Sequence, residues 1–261
     1  MVNIGVVGFI EMCHNRRHME TMQSNGFLEL KLKKHAEVLG FDLVGITSAE
    51  PFLRDEQAGI QRIRGDLMDG LTWYTEERVR KAAHPKRLLE GASSVISLAM
   101  SYLHENAGNS NENPSGKIAR YARGSDYHSV LKSRLKQYVK DIPQIVGHPV
   151  KTRIFVDDGP MMDRAAAERA GIGWFGKNTN IITRSHGSWV LLGQVITDLS
   201  LSPDVPLAKN CGECVRCIVA CPTDAIVAPY VIDNKRCISF LTIELRGVIP
   251  KELRSLMGDW V

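Results

Sequence analysis

The sequence predicts a mixed α/β (α+β) domain followed by a small cysteine-rich domain, and three features carry that prediction. Strand-period and helix-period segments alternate from Leu28 to Thr197, the composition changes at a proline-containing spacer near Leu201, and five of the six cysteines fall between Cys211 and Cys237. The chain has 261 residues, 44% hydrophobic and 24% charged, which gives room for one medium domain with a small appendage and excludes a disordered or collagen-like protein. Lysine plus arginine exceeds aspartate plus glutamate by 33 − 29 = +4, an excess that permits a polyanionic partner without demanding one. No run approaches the ~20 consecutive apolar residues of a membrane span. The best, from Val95 to Leu103, is short and broken by serines. The apolar patch from Ile4 to Ile10 meets Glu11 at once and has no basic segment before it, so a secretory signal is not expected and the cytoplasm is the expected compartment.

Residues 1–26 have no sustained period and contain Met19 and Met22, so they read as a leader or a misassigned start. From Leu28 the apolar residues recur at helical spacing until Gly40, a glycine able to take positive φ at a helix end. Phe41 to Thr47 alternates as a strand, and the charge-rich stretch from Asp55 to Leu89 reads as helical. Ser93 to Leu103 has strand length and β-branched content, and Lys117 to Arg123 reads as extended. Val130 to Val139 reads as a helix with a basic outer face that stops at the turn around Pro143. Thr152 to Val156 forms a short strand ending in Asp157-Asp158-Gly159-Pro160, and Met161 to Ala170 is the next helix. Asn180 to Arg184 and Ser188 to Thr197 are expected as two strands around a His186-Gly187 turn. The domain limits that follow are 27–200 and 201–261.

The cysteine spacing is the strongest chemical signal. Cys211, Cys214, Cys217 and Cys221, with Pro222 after them, have the C-x2-C-x2-C-x3-C-P pattern of bacterial ferredoxins. Thiolates at two-residue gaps can wrap one face of a compact [4Fe-4S] cuboid, while the fourth points away toward a neighbouring cluster. Zinc also takes four thiolates, but usually from two separated C-x2-C knuckles, and a disulfide set is not expected in the cytoplasm. Cys237 lies on a later segment and is a fifth ligand candidate; alone, it reads as a small buried apolar residue. The small domain is therefore expected to be ferredoxin-like.

These residues and four further motifs give the chain a specific resemblance. Tyr121-Ala-Arg-Gly-Ser-Asp-Tyr-His128, Val156-Asp157-Asp158-Gly159-Pro160, Gly173-Trp-Phe-Gly-Lys177 and Arg236-Cys-Ile-Ser-Phe-Leu-Thr-Ile-Glu244, together with the cysteine motif, resemble the epoxyqueuosine reductases over about Leu28 to Asp259. The resemblance implies a corrinoid-binding domain followed by a ferredoxin-like [4Fe-4S] domain. Electrons would pass from an external donor through the clusters to cobalamin and then to epoxyqueuosine in tRNA. It implies Asp157 as proton donor; from the residues alone, aspartates before Gly-Pro shape a turn and cap the next helix. Reductive loss of an epoxide oxygen leaves an alkoxide that must be protonated, which a carboxylic acid does when burial raises its pKa.

For cobalamin, the matching positions are Arg80, Asn178, Ile181, Leu192 and Ser239, alongside Asp157. For tRNA, the basic strip from Lys117 to Lys140 supplies Arg120, Arg123, Lys132 and Arg134, with Tyr121 and Tyr127 interleaved, and the family adds Glu244 and Arg246. The same strip read without the family is a solvated amphipathic helix. Family members continue into a second cysteine motif after the equivalent of Gly258. The expectation is therefore a chain truncated before that motif, inactive or completed by a separately encoded C-terminal fragment. Two other readings are a non-enzymatic iron-sulfur electron carrier and a corrinoid-dependent reductase of another substrate, such as a dehalogenase.

Overall fold

The computed structural model describes residues 26–103 and 115–261; of the expected leader, residues 1–25, with Cys13 among them, lie outside the described residues, and Gly26 belongs to the first helix. In chain order the elements are helix α1 (26–38), β1 (Leu43–Ser48), α2 (Leu53–Arg64), α3 (Glu76–Ala82), α4 (Pro85–Leu88) and β2 (Ser94–Ser101). Then come α5 (Tyr127–Val146), β3 (Thr152–Phe155), α6 (Asp163–Arg169), β4 (Trp174–Phe175), β5 (Ile181–Ile182) and β6 (Val190–Thr197). Beyond residue 200 lie α7 (Arg216–Val219), β7 (Ile226–Ala228), β8 (Val231–Ile232) and α8 (Lys251–Met257).

The central sheet has the order β1-β2-β6-β3, and every neighbouring pair is antiparallel. Helices cover both of its faces. On one, Leu32 and Ala36 of α1 and Leu131, Leu135, Tyr138 and Ile142 of α5 pack on Ile46, Ile96, Leu98 and Val195. On the other, Ala165 and Ala166 of α6, with Phe52, Ala83 and Leu88, pack on Val95, Phe155 and Ile196. With both faces buried, β2 reads as an unbroken apolar run rather than an alternation.

Several local expectations change. Helix α5 runs through Pro143 to Val146 and ends at Gly147, whose φ is +88° and whose N–H bonds the Pro143 carbonyl at 2.8 Å. Losing one ladder hydrogen bond at the proline is outweighed by burying Ile142 and packing Ile145 and Val146 on the same core. Lys117 to Arg123 is not a strand: Lys117 makes a single parallel bridge to Trp260, and a 3-10 turn follows at Arg120–Ala122. The turn at His186-Gly187 is present, with Thr183 bridged to Gly187, but β5 pairs with β4 while β6 joins the main sheet.

The C-terminal segment is built on a thin core of Phe240, Leu241, Leu253 and Met257, completed by Leu71 from the loop between α2 and α3. Gly70 has φ +88° and sits so close to the Phe240 ring that a Cβ there would lie 2.4 Å from it. Asn234 fastens the same loop, its N–H to the Leu67 carbonyl at 2.9 Å and its amide to the Asp69 carbonyl at 3.0 Å.

Helix α6 approaches β1 so closely that a Cβ on Gly45 would lie 2.1 Å from the Ala170 carbonyl oxygen. Gly45→Ala is expected to destabilise the fold by about 1–3 kcal/mol through overpacking against rigid backbone. The midpoint of denaturant unfolding, followed by circular dichroism, measures it.

Candidate active site

The Asp157 corner forms where β3 leaves the sheet. Phe155 and Val156 are buried, and the chain then turns through Asp157 with φ +52°, a left-handed conformation uncommon for a non-glycine residue. Gly159 cannot carry a side chain, since a Cβ would meet the Phe155 ring at 2.4 Å. Helix α5 holds both aspartates from the side. The Tyr127 hydroxyl donates to Asp157 Oδ2 at 2.9 Å, and Lys132 pairs with Asp158, whose other oxygen accepts the Val156 N–H at 3.1 Å. Asp158 therefore ties down its own turn; the following helix begins after Met162 with no side-chain cap.

The electrostatics of the corner separate the acids. Partial burial pushes the Asp158 carboxyl up, but Lys132 and the Val156 amide outweigh it and hold the group below the ordinary aspartate range. Asp157 is exposed. The buried carboxyl, which burial alone would mark as a proton holder, is Asp163: it is raised to about 7 by desolvation and, next, by the charge of Asp157. Tyr127 is pushed well above its ordinary value by burial and by the adjacent Asp157, so it stays a phenol and a hydrogen-bond donor.

A wall of aromatic rings leads away from Asp157. Tyr127 meets Tyr121 edge-to-face at 6.0 Å, Tyr121 meets Tyr102 at 6.4 Å, and Tyr102 meets Trp189 at 5.7 Å. The Arg120 guanidinium lies 4.9 Å over Trp189. Spacing in the sequence singles out Tyr121 and Tyr127; Tyr102 and Trp189 join them only through the β2–β6 pairing, which places Ser101 opposite Val190.

The residues expected at a corrin site are only partly gathered. Ile181 and Leu192 share an apolar cluster with Ala99, Ala167, Ile172 and the half-buried Phe175 and Val190. Asn178 is on the β4–β5 loop, its Oδ1 accepting the Asn180 N–H at 3.3 Å. Ser239 immediately precedes the π-turn Phe240–Glu244. Arg80 is paired with Glu56 and Glu76 on the surface formed by α2 and α3.

The basic strip is likewise divided. Arg120 is at the aromatic wall, and Arg123 donates to the Ile118 carbonyl at 3.0 Å. Lys132 is engaged by Asp158, and Arg134 reaches inward to the Gly40 carbonyl and the Met100 sulfur. Glu244 accepts from the Trp73 indole at 3.4 Å, with Arg246 exposed beyond it.

The cysteine loop abuts the β4–β5 loop. Lys177 Nζ donates to the Gly212 carbonyl at 2.8 Å, and the Tyr230 N–H donates to the Lys177 carbonyl at 2.9 Å. Local turns place the thiols: Cys214 N–H bonds the Cys211 carbonyl at 2.9 Å, Cys221 N–H the Ile218 carbonyl at 3.2 Å, and Cys237 N–H the Asn234 carbonyl at 3.0 Å. The Asp233 N–H to Ala225 carbonyl bond and the Arg236–Asp224 ion pair bring the Cys237 end beside the Cys221 end. All five are free thiols. Among the described residues no three His, Cys, Asp or Glu side chains converge as around a single metal ion. A multi-iron cluster carries its thiolates on separate irons and asks for a wider ring, so an all-thiol donor set spread along one loop fits a cluster.

Comparison with known proteins settles the lineage. The family model described as epoxyqueuosine reductase QueG, DUF1730 matches residues 83–158, and a 4Fe-4S double cluster binding domain matches residues 210–261. The chain is 42% identical over 231 residues to an epoxyqueuosine reductase of Leadbetterella byssophila, covering 88% of this chain and 74% of that one. The chain belongs to the epoxyqueuosine reductase family. The Escherichia coli epoxyqueuosine reductase is 42% identical over 89% of this chain and 61% of its own length. A crystal structure of an epoxyqueuosine reductase with an epoxyqueuosine-modified tRNA-Tyr stem loop superposes with TM-score 0.82 at 35% identity, over 89% of this chain and 61% of that one.

As in other epoxyqueuosine reductases, the chain is an oxidoreductase with a mixed α/β fold and a 4Fe-4S binding domain. The first family match takes in Tyr102, Tyr121, Tyr127 and Asp157, and the second takes in Cys211, Cys214, Cys217, Cys221 and Cys237. Replacing Cys214 or Cys217 by Ser is expected to lower iron and acid-labile sulfide after anaerobic reconstitution by at least about half, because serine is a poor ligand for soft cluster iron. Elemental analysis with the visible cluster absorbance checks this.

Proposed function

We propose that the chain reduces epoxyqueuosine to queuosine within tRNA, with residues 27–200 as the cobalamin-binding catalytic part and residues 201–261 as the iron-sulfur part. The observation that carries this reading is the Tyr127–Asp157 pair standing at one end of an aromatic wall with Arg120 at the other. When bound, the clusters and cobalamin supply the reducing electrons, drawn from an external donor. Cys211, Cys214, Cys217, Cys221 and Cys237 would hold the clusters. Ile181, Leu192 and their half-buried neighbours Phe175 and Val190 would supply the apolar contacts to a corrin, and Asn178, Ser239 and Arg80 the polar ones.

The chemistry left to the protein is proton delivery and positioning. Opening and removal of an epoxide consumes two electrons and two protons, forms a carbon–carbon double bond and releases the oxygen as water. Asp157 protonates the oxygen as negative charge develops on it. Its exposure in the free protein fits a group that a bound nucleoside covers. Tyr127 aims the carboxyl, and the edge-to-face rings of Tyr121, Tyr102 and Trp189 offer individual aromatic faces on which a modified base or its neighbours can stack. Arg120, Arg123 and Arg246 approach phosphates, with Glu244 at the rim. No helix among the described residues is long and apolar enough to cross a membrane, and the proposed substrate places the protein in the cytoplasm. An electron carrier alone would leave the Asp157 corner and its aromatic wall without a role.

Asp157→Asn is expected to lower turnover of epoxyqueuosine tRNA by roughly 10²–10⁴-fold while cobalamin binding persists. Tyr127→Phe should lower turnover by roughly tenfold, equivalent to about 1.4 kcal/mol. Mass analysis of nucleosides from digested tRNA reads both. Wild-type turnover in the Asp157→Asn variant overturns the proton-donor assignment.

A further inference from the structure

Behind the Asp157 loop lies a buried polar group that the proposed reaction does not use. Asp163 opens α6; the residue is half-buried, and its Oδ1 is fully buried and without a partner. The strands that α6 packs against, β1, β2, β4, β5 and β6, contain no charged residue. The charges acting on Asp163 are Asp157 and Asp158 from the loop and Arg164 from its own helix. Two uncharged polar side chains occupy the same sheet face. Gln194 of β6 donates its amide to the Asp163 carbonyl at 3.3 Å, and its own Oε1 is buried and unpartnered. Ser97 of β2, directly opposite Gln194, has a buried unpartnered hydroxyl.

Hydrogen-bond accounting decides what this group must be. With Asp163 ionised, Oδ1 and Gln194 Oε1 are two buried acceptors, and neither has a donor. With Asp163 protonated, the carboxyl itself becomes the donor and both are satisfied. We propose that Asp163 works as a neutral carboxylic acid that donates to Gln194, adds a side-chain tie to the amide contact already joining Gln194 to the start of α6, and through it positions the Val156–Met161 loop bearing Asp157. The role is a positioning one, and it rests on Asp157 being the proton donor. The raised proton affinity of Asp163, to about 7, agrees with it.

The sign of the pH effect follows from that raised value. The folded protein keeps a proton that the unfolded chain releases near its ordinary value of 3.8, so stability falls as pH rises from about 4 to about 7 and levels off above. Asn at position 163 is neutral and carries a donor at every pH. Relative to the wild type, Asp163→Asn is therefore expected to gain about 4 °C or more in Tm between pH 5 and pH 8. The alkaline limb of its kcat/KM profile should move up by at least about one pH unit. Wild-type infrared spectra at pH 6 should carry a protonated-carboxyl C=O band that is absent from Asp163→Asn. An Asp163→Asn variant with the wild-type Tm slope and alkaline limb overturns the proposal, as does a wild-type spectrum lacking the band. Because the infrared band and the Tm slope need no turnover, an inactive preparation, or a fully active Asp157→Asn variant, would count against the Asp157 reading and leave Asp163 to be judged on its own.

Discussion

The seating of α5 on the sheet is the constraint on which the rest depends. Its buried stripe, Leu131, Leu135, Tyr138 and Ile142, runs at helical spacing and fills the space between α1 and the strands, with each side chain fully buried. Burying large side chains of this kind stabilises by about 1.5–3 kcal/mol each. The Tyr138 hydroxyl, taken fully out of water, finds the Leu32 carbonyl at 3.2 Å, so the one polar atom in the stripe is matched. The same helix then presents Tyr127 and Lys132 to the Asp157 corner. The geometry of the Asp157 corner is thereby inherited from core packing: a shift of α5 would move the two groups that hold the adjacent aspartates.

That inheritance explains the strained turn. A left-handed Asp157 costs of order 1 kcal/mol or more, and such a conformation persists only where surrounding contacts over-determine it. Here the over-determination comes from four directions: the buried Phe155 and Val156 before it, the Gly159 approach to the Phe155 ring after it, the Lys132–Asp158 pair beside it, and the Tyr127 hydroxyl on the carboxylate itself. Asp158, which sequence reading assigns to the following helix, instead closes its own turn on the Val156 amide. The second carboxylate beside Asp157 is offset by Lys132 from α5.

Much of the fold was legible because local chemistry and tertiary outcome agree. Gly40 ends α1 with φ +85°, the apolar run after Ala92 is a central strand, and the aspartate pair stands at a strand end. What was not legible depends on partners far away in sequence. Nothing in Ile181-Ile182 says that it pairs with Trp174-Phe175 rather than continuing toward β6, and nothing near Pro143 announces that the core will reward three more residues of helix. At the candidate site, the cysteines are picked out by a spacing motif that encodes their local geometry, and Asp157 by family likeness. Trp189 and Tyr102 were invisible because only strand pairing brings them into line. Asp163 was hidden for a related reason: an aspartate at a helix start looks like a solvated cap until the sheet is seen to close over it. Within the basic strip, the long side chains of Arg134 and Lys132 turn inward to a carbonyl and an acid that a linear reading does not supply.

Around the cysteine segment, part of the contact between the two halves runs to backbone acceptors. Lys177 reaches the Gly212 carbonyl, Arg62 reaches the Tyr230 carbonyl at 2.6 Å, and the Tyr230 amide returns to Lys177. Such bonds fix where the cysteine loop sits without depending on which side chains it carries, so the loop sequence is free to answer to the thiols. The segment's own core is small, and Leu71, Gly70 and Asn234 make it continuous with the loop between α2 and α3. A segment with so little interior of its own gains its order from what it docks against. Bound iron would act in the same direction, because ligation joins Cys237 to the 211–221 loop and penalises any unfolded arrangement that parts them. Cluster occupancy, the position of the β4–β5 loop and the seating of this segment are therefore one coupled equilibrium, and loss of any of them loosens the other two.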